Sequence, residues 1–248
     1  MDKILILDKP SGITSHDCCD EVKEILNVEK AGHAGTLDIG VTGVLVIALD
    51  EATKLLRLFS GLPKEYVGEA ILHEDVDIEK LNQIINEKFL GKIKQVPPKR
   101  SRVKREERER EIFDFKILKK EGRRFSFQVS CQAGTYIRKL IDDLGKELNI
   151  IANMTKLRRM KQGPFVIDEA ITLDKLKENS LIDLIDAVKR LKTPIISINS
   201  KQEEDLRKGR FLIAEDKKEG FFVTINKNKV VALVQVEDNL VKPERVLN

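Results

Sequence analysis

Thirteen residues, Ala31-Gly32-His33-Ala34-Gly35-Thr36-Leu37-Asp38-Ile39-Gly40-Val41-Thr42-Gly43, carry four glycines and are followed directly by the apolar run 44–49. Glycine lets the backbone take positive φ and lets a ligand come close, so the segment reads as a loop that displays chemistry rather than packing. Asp38 is the carboxylate it would display. Asp and Gly are also ordinary turn residues, and on spacing alone a turn or cap role competes with catalysis.

The chain has 248 residues, enough for one substantial core or for a large and a small domain. Its composition, 41% hydrophobic and 35% charged without tryptophan, contains no apolar run of membrane-spanning length. A soluble, cytoplasmic protein with no membrane partner is therefore expected, and residues 4–7 are too short for a signal peptide. Cys18, Cys19 and Cys131 have neither metal-ligand spacing nor a disulfide framework and read as small buried hydrophobes. His16, His33 and His73 lie far apart, so no metal is expected, and no cofactor motif is present.

Charge is uneven. Residues 92–124 hold fourteen Lys or Arg against six Asp or Glu, a local excess of +8 that leaves −4 for the remainder. Such asymmetry points to a polyanion, nucleic acid first, although mixed Lys/Glu runs also form salt-bridged solvent faces.

Local patterns predict a strand at 3–7, a turn at Lys9-Pro10-Ser11-Gly12, and a helix from Ser15 to Leu26 that turns Val22, Ile25 and Leu26 inward. A buried strand at 44–49, a helix at 51–60 and extended structure at 66–72 follow. Residues 78–88 read as helix, and Pro97-Pro98 opens an extended basic arm, 99–110. Strands near 112–119 and 123–131 meet at Gly122. A helix from Thr135 to about Leu148 buries Ile137, Leu140, Ile141, Leu144 and Leu148, and a further strand contains Leu157. Helices near 172–178 and 180–191 precede Thr193-Pro194, after which 195–248 reads as a strand, a short helix and three strands.

Four segments together are specific: Leu7-Asp8-Lys9-Pro10-Ser11-Gly12-Ile13-Thr14-Ser15-His16, the Asp38 loop, Lys64-Glu65-Tyr66-Val67-Gly68, and Ala133-Gly134-Thr135-Tyr136-Ile137-Arg138. With Leu157-Arg158-Arg159 and Gly163-Pro164-Phe165 in the same order, nearly the whole chain resembles the TruB/dyskerin pseudouridine synthases. The wording of the Asp38 loop, the 97–105 segment and Ser130-Cys131-x-Ala133-Gly134 is similar to the archaeal-type branch, whose members also work within guide-RNA particles.

The resemblance implies an α+β pseudouridine synthase fold with a central mixed, largely antiparallel sheet over residues 1–193. A shortened PUA-like RNA-binding β module would occupy 194–248. It implies an isomerase, an intramolecular transferase of the tRNA pseudouridine(55) synthase type, acting on the T loop without metal or cofactor. Asp38 would be the nucleophile, Arg138 its charge partner, and Tyr66 a stacking surface for a flipped base. His33, Lys64, Tyr136 and Leu157 would contact substrate, while Lys99, Arg100, Lys104 and Arg105 would meet RNA phosphates. Lys9, Pro10 and Gly35 would buttress the loop.

Partners implied are RNA, either tRNA or H/ACA guide RNA with rRNA, and ribonucleoprotein accessory proteins. Guide-RNA-directed modification of rRNA is the enzymatic alternative, and a non-catalytic RNA-binding scaffold is the alternative from another class. Two departures stand out: Ile39 where the family usually has proline, and a terminal module shorter than a full PUA domain.

Overall fold

A strand that carries apolar residues on both faces must lie between two packed layers, and β1 (Lys3–Lys9) meets that condition with Ile4, Leu5, Ile6 and Leu7 all buried. The computed structural model describes residues 1–97, 104, 106–214 and 218–248. The chain continues through α1 (Ser15–Leu26), β2 (Ala31–His33), β3 (Thr42–Leu49), α2 (Leu56–Ser60), β4 (Lys64–Leu72), α3 (Ile78–Lys88), β5 (Gly91–Gln95), β6 (Arg108–Glu121) and β7 (Arg124–Cys131). Next come α4 (Ile137–Glu147), β8 (Ala152–Gln162), β9 (Phe165–Val166), β10 (Ile182–Asp183) and α5 (Leu184–Arg190). A last run supplies β11 (Ile195–Ser197), α6 (Ser200–Arg207), β12 (Leu212–Ile213), β13 (Gly220–Asn226), β14 (Lys229–Glu237) and β15 (Leu240–Val246).

The first ten strands form one mixed sheet in the order β10-β1-β3-β8-β4-β7-β6-β5, with β2 added to β3 and β9 to β8. Only β3 and β8 pair in parallel; the other pairings of named strands in this sheet are antiparallel. At that parallel contact Gly43 faces Arg159, with φ of 102° and room for no side chain. A Cβ there would lie 2.2 Å from the Arg159 carbonyl oxygen.

Helices α3 and α4 cover one end of the sheet, with Leu81, Ile85, Leu140, Ile141 and Leu144 packed on Phe115, Phe125 and Phe127. The β1–β3 end is covered on one face by α1 and on the other by α5 and the second sheet. That second sheet has the order β11-β13-β14-β15-β12, and its Val223 and Leu233 share a core with Ile4, Ile6, Val44 and Val46. Residues 50–60 tie the sheets at the surface: the Arg57 guanidinium sits 4.2 Å over the Phe221 ring and donates to Glu244 at 2.9 Å.

Several local expectations need correction. Ile25 is 48% exposed, because the buried stripe of α1 runs through Ser15, Cys18, Cys19, Val22 and Leu26 and leaves Ile25 at its edge. The helix expected at 51–60 is a 3-10 segment, Asp50–Leu55, followed by the short α2. No helix spans 172–178; 3-10 turns at Leu173–Lys175 and Glu178–Ser180 flank an extended Leu176, whose side chain is buried beside Leu5 and Leu7. Helix α4 starts at Ile137, two residues later than expected. Of the basic arm, Pro98, Lys99, Arg100 and Arg105 lie outside the described residues.

Gly43→Ala should lower the unfolding free energy by about 3 kcal/mol or more, through both the clash and the left-handed φ. Gly40, with open space around it, should accept alanine within about 0.5 kcal/mol. Urea midpoints of the two variants test the pair.

Candidate active site

The Asp38 loop joins β2 to β3, and its backbone is held from beneath almost residue by residue. Lys9, with no exposed surface, donates to the carbonyls of Pro10 at 2.9 Å, Ile39 at 3.3 Å and Val41 at 3.0 Å. An ammonium has three donors, and all three are used. The Ser15 hydroxyl accepts from the Leu37 N–H at 2.9 Å and lies 3.2 Å from the Leu37 carbonyl, while the Gly12 N–H donates to Ile39 at 2.9 Å. Val41 N–H closes a turn onto the Asp38 carbonyl at 2.9 Å.

The N-terminal half of the loop rests on β8. Arg159, 1% exposed, donates from Nε to the Val44 carbonyl at 2.6 Å and from a terminal nitrogen to Gly35 at 3.0 Å. Gln162 donates to Ala34 at 2.5 Å and to Phe59 at 3.0 Å. Gly35 needs its φ of 111° to bring its carbonyl onto Arg159. Arg159 enters the sequence reading only as part of the Leu157-Arg158-Arg159 motif, and Gln162 not at all; neither is given a role at the site by it.

With its backbone fixed, Asp38 extends an exposed carboxylate that is ion-paired with Arg138 from the first turn of α4. The two side chains are 60% and 58% exposed. A cation at the positive end of a helix dipole is disfavoured unless something offsets it, and the carboxylate does so here. Below this pair, Tyr66 and Leu157 are each 8% exposed and pack in one apolar cluster with Leu37 and Val41. The stacking face and apolar wall are thus covered in this conformation. Clefts of about 480 and 600 Å³ open on the second sheet and beside the N-terminus, and neither is lined by Asp38, Tyr66 or Arg138.

The remaining expected site residues divide. His33 is half-buried on β2, its Nδ1 has no hydrogen-bond partner among the described residues, and burial together with Arg159 pushes its ring below the usual histidine range. Tyr136 caps α4 and exchanges two backbone hydrogen bonds with the Gln95 amide. Lys64, expected as a substrate contact, is buried in this conformation, its stem beside Gly35 and its ammonium turned to the connection before β4. Its ammonium donates to Ser60 at 2.6 Å and Leu62 at 2.7 Å, and burial pushes it down to about 8. Among the described residues, no three His, Cys, Asp or Glu side chains converge as metal ligands would.

Much of the basic excess is already paired. Lys92, Lys94, Lys104, Lys116, Lys119 and Lys120 each meet a carboxylate, so Lys104 is not a free phosphate contact in this conformation. Arg108 and Arg110 bond only to backbone carbonyls among the described residues, and Arg110 lies over Gly134 at the entry to α4.

Two measurements test this framework. Folded Lys64 loses its proton near pH 8, whereas the unfolded side chain holds it to about 10.5. Between those values the unfolded state binds more protons, so this contribution raises stability with pH, at a limiting slope of ~1.4 kcal/mol per unit. Lys64→Met should lack that rise in paired urea titrations. At Ile39, neither central residue of the 38–41 turn has positive φ, so the turn is of type I and favours proline at its second position. Ile39→Pro should therefore gain about 0.4–1 kcal/mol in the same assay.

Comparison with known proteins accords with this geometry. Residues 23–137 match the profile of the TruB family pseudouridylate synthase N-terminal domain, and residues 138–195 match that of the tRNA pseudouridylate synthase B C-terminal domain. A "Probable tRNA pseudouridine synthase B" of Methanopyrus kandleri is 49% identical over 178 residues, 72% of this chain and 52% of that protein. One from Methanococcus maripaludis is 43% identical over 205 residues, 83% of this chain and 57% of that protein. The chain spans about half the length of the curated relatives it matches. Among solved structures, a chain of a Cbf5-Nop10-Gar1 complex superposes with a TM-score of 0.86 at 34% identity, covering 98% of this chain and 84% of its own. A chain of an H/ACA RNP bound to a substrate RNA containing 2'-deoxyuridine gives 0.83 at 32% identity, with coverage of 99% and 85%. The chain belongs to the TruB family of pseudouridylate synthases.

Proposed function

We propose that this chain carries the catalytic unit of an RNA pseudouridine synthase, with uridine 55 in the T loop of tRNA as the favoured target and Asp38 as the nucleophile. The observation that carries the reading is the Asp38–Arg138 pair: an exposed carboxylate on a backbone held from below, oriented by a cation from another element. Such a group is free to attack, and its loop need not reorganise to do so. Attack on the target nucleoside lets uracil detach, rotate and rejoin the ribose through carbon 5. No cofactor enters this sequence of steps.

Arg138 then holds the carboxylate in its attacking direction, and Tyr66 stacks on the base once the side chains of Leu37 and Val41 turn aside on a backbone that stays held. Leu157 walls the pocket, His33 meets the displaced nucleotide, and Tyr136 flanks the base from the start of α4. Lys9, Pro10, Gly35 and Lys64 support the loop. Phosphates are met by arginines at the mouth, Arg108 and Arg110, continued by Lys99, Arg100 and Arg105, with Lys104 joining on release from Glu106. Residues 1–193 form the catalytic domain and 194–248 a shortened PUA-like module that anchors RNA, in a cytoplasmic setting. Binding that rests on phosphate contacts weakens steeply as salt rises.

Guide-directed action on rRNA, with accessory proteins, is the second reading, favoured by the superposition on a chain of the Cbf5-Nop10-Gar1 complex over 98% of this chain. One assay separates the readings. Wild-type protein should release tritium from carbon 5 of labelled uridine in a tRNA transcript without additions. Asp38→Asn should reduce release to background while RNA affinity changes less than about twofold. Release only with guide RNA and accessory proteins would select the second reading, and RNA binding without release under any condition would leave a scaffold.

A further inference from the structure

Lys9, Ser15, Lys64, Arg159 and Gln162 are buried polar side chains around the Asp38 loop, and Thr224 is buried within the second sheet. Gln95 belongs to neither group. It ends β5, is 3% exposed, and turns its amide toward one residue of another element. Its Oε1 accepts from the Tyr136 N–H at 3.0 Å, and its Nε2 donates to the Tyr136 carbonyl at 3.3 Å. A side-chain amide offers a donor and an acceptor side by side, as the backbone of a neighbouring strand would. The cap residue of α4 is thereby joined to the end of the sheet.

That cap needs an outside partner. Helix α4 has no side-chain cap at Tyr136 and no acidic residue in its first turn, and it carries Arg138 there against the helix dipole. The Tyr136 carbonyl also accepts the first helical bond, from the Leu140 N–H at 3.0 Å, so a shift of this one residue shifts the start of the helix. Upstream, the Gln132 N–H donates to the Glu111 carbonyl at 2.8 Å, and the Thr135 hydroxyl folds back on the Gln132 carbonyl at 2.8 Å. Those contacts fix the approach to α4; Gln95 fixes the cap itself.

We propose that Gln95 is a positioning residue for Arg138: it holds the cap of α4 at the end of β5 and so sets the direction from which the guanidinium meets the Asp38 carboxylate. Arg138 follows the cap by two residues, and its side chain is 58% exposed. Little packing holds such a side chain, so the placement of its backbone decides where the guanidinium can reach. The anchor is independent of any reaction; its effect on turnover rests on the reading of Asp38 as the nucleophile.

The nuclear magnetic resonance signal of the Arg138 side-chain Nε–H reads the ion pair without turnover, and Asp38→Asn gives its position with the pair broken. Gln95→Met, similar in length but unable to bond Tyr136, should move the signal about halfway or further to that position while the Leu45 and Val46 amide signals of β3 stay in place. An unmoved Arg138 signal overturns the proposal. Gln95→Asn, whose amide falls short of Tyr136, is the variant to use if methionine does not fold. It should move the signal in the same direction, and no movement there overturns the proposal equally.

In turnover, Gln95→Met should lower kcat by about tenfold with KM within about threefold, because orientation rather than RNA binding is lost. In an Arg138→Met background the same change should cost less than about twofold. Full multiplication of the two losses, or a loss confined to KM, sinks the proposal. If wild-type protein isomerises no RNA while the Arg138 signal moves as expected, the positioning stands and the reading of the activity falls.

Discussion

Everything at this site depends on how the carbonyls beneath a glycine-rich loop are satisfied. A loop that must present one carboxylate to solvent has its inward carbonyls buried, where no water can meet them. This chain answers with cations. Lys9 closes the loop carbonyls of Ile39 and Val41 together with that of Pro10 in the neighbouring turn, Arg159 closes those of Gly35 and of Val44 in β3, and Lys64, its stem beside Gly35, closes Ser60 and Leu62 in the connection before β4. Neutral donors would need more side chains to do the same. Desolvating three cations costs several kcal/mol each, and charge-assisted hydrogen bonds to fixed carbonyls are the compensation. That investment secures a defined backbone rather than high stability.

The same logic explains which parts were legible in the sequence. Glycine spacing and apolar runs have local causes, so the loop, β1, β3 and α3 could be read directly, α3 to the residue at 78–88. Lys9 and Pro10 read as supports only through the family resemblance, since a lysine beside a turn gives no local sign that it is buried. Arg159, Lys64 and Gln162 could not be read as one cluster, because their burial is decided by a cross-strand register: Lys64 faces Gln162 and Tyr66 faces Arg159, with a bulge between Glu65 and Tyr66. In β8 the buried positions 152, 157, 159 and 162 are alanine, leucine, arginine and glutamine, so hydrophobic alternation gives no warning over its second half. Leu176 failed for the opposite reason: a helical spacing yielded to a tertiary demand for one buried leucine.

Electrostatics divides the site into an inner and an outer half. The inner cations are fixed on backbone carbonyls and shielded from salt by burial. The outer pair, Asp38 and Arg138, is more than half exposed, and such pairs contribute little to stability. Little is lost, therefore, when a ligand separates them or turns Arg138 aside. Paired lysines on β5 and β6 follow the same division: pairs such as Lys92–Glu109 and Lys94–Glu107 neutralise one face, while Arg110, with no carboxylate partner among the described residues, lies over Gly134 at the entry to α4.

Ile39 brings these strands together. A proline after Asp38 would stiffen the turn through its ring, by fixing φ before folding. Here the carbonyl of the same residue is gripped by Lys9 and by the Gly12 N–H, so rigidity is supplied from below rather than from the ring. The Ile39 side chain is left 55% exposed beside Asp38, an apolar surface at the mouth where proline would present less. The departure from the family pattern thus leaves the loop's geometry supported and changes what an incoming ligand meets first. At position 39 the buried cation holds the backbone and leaves the side chain to solvent.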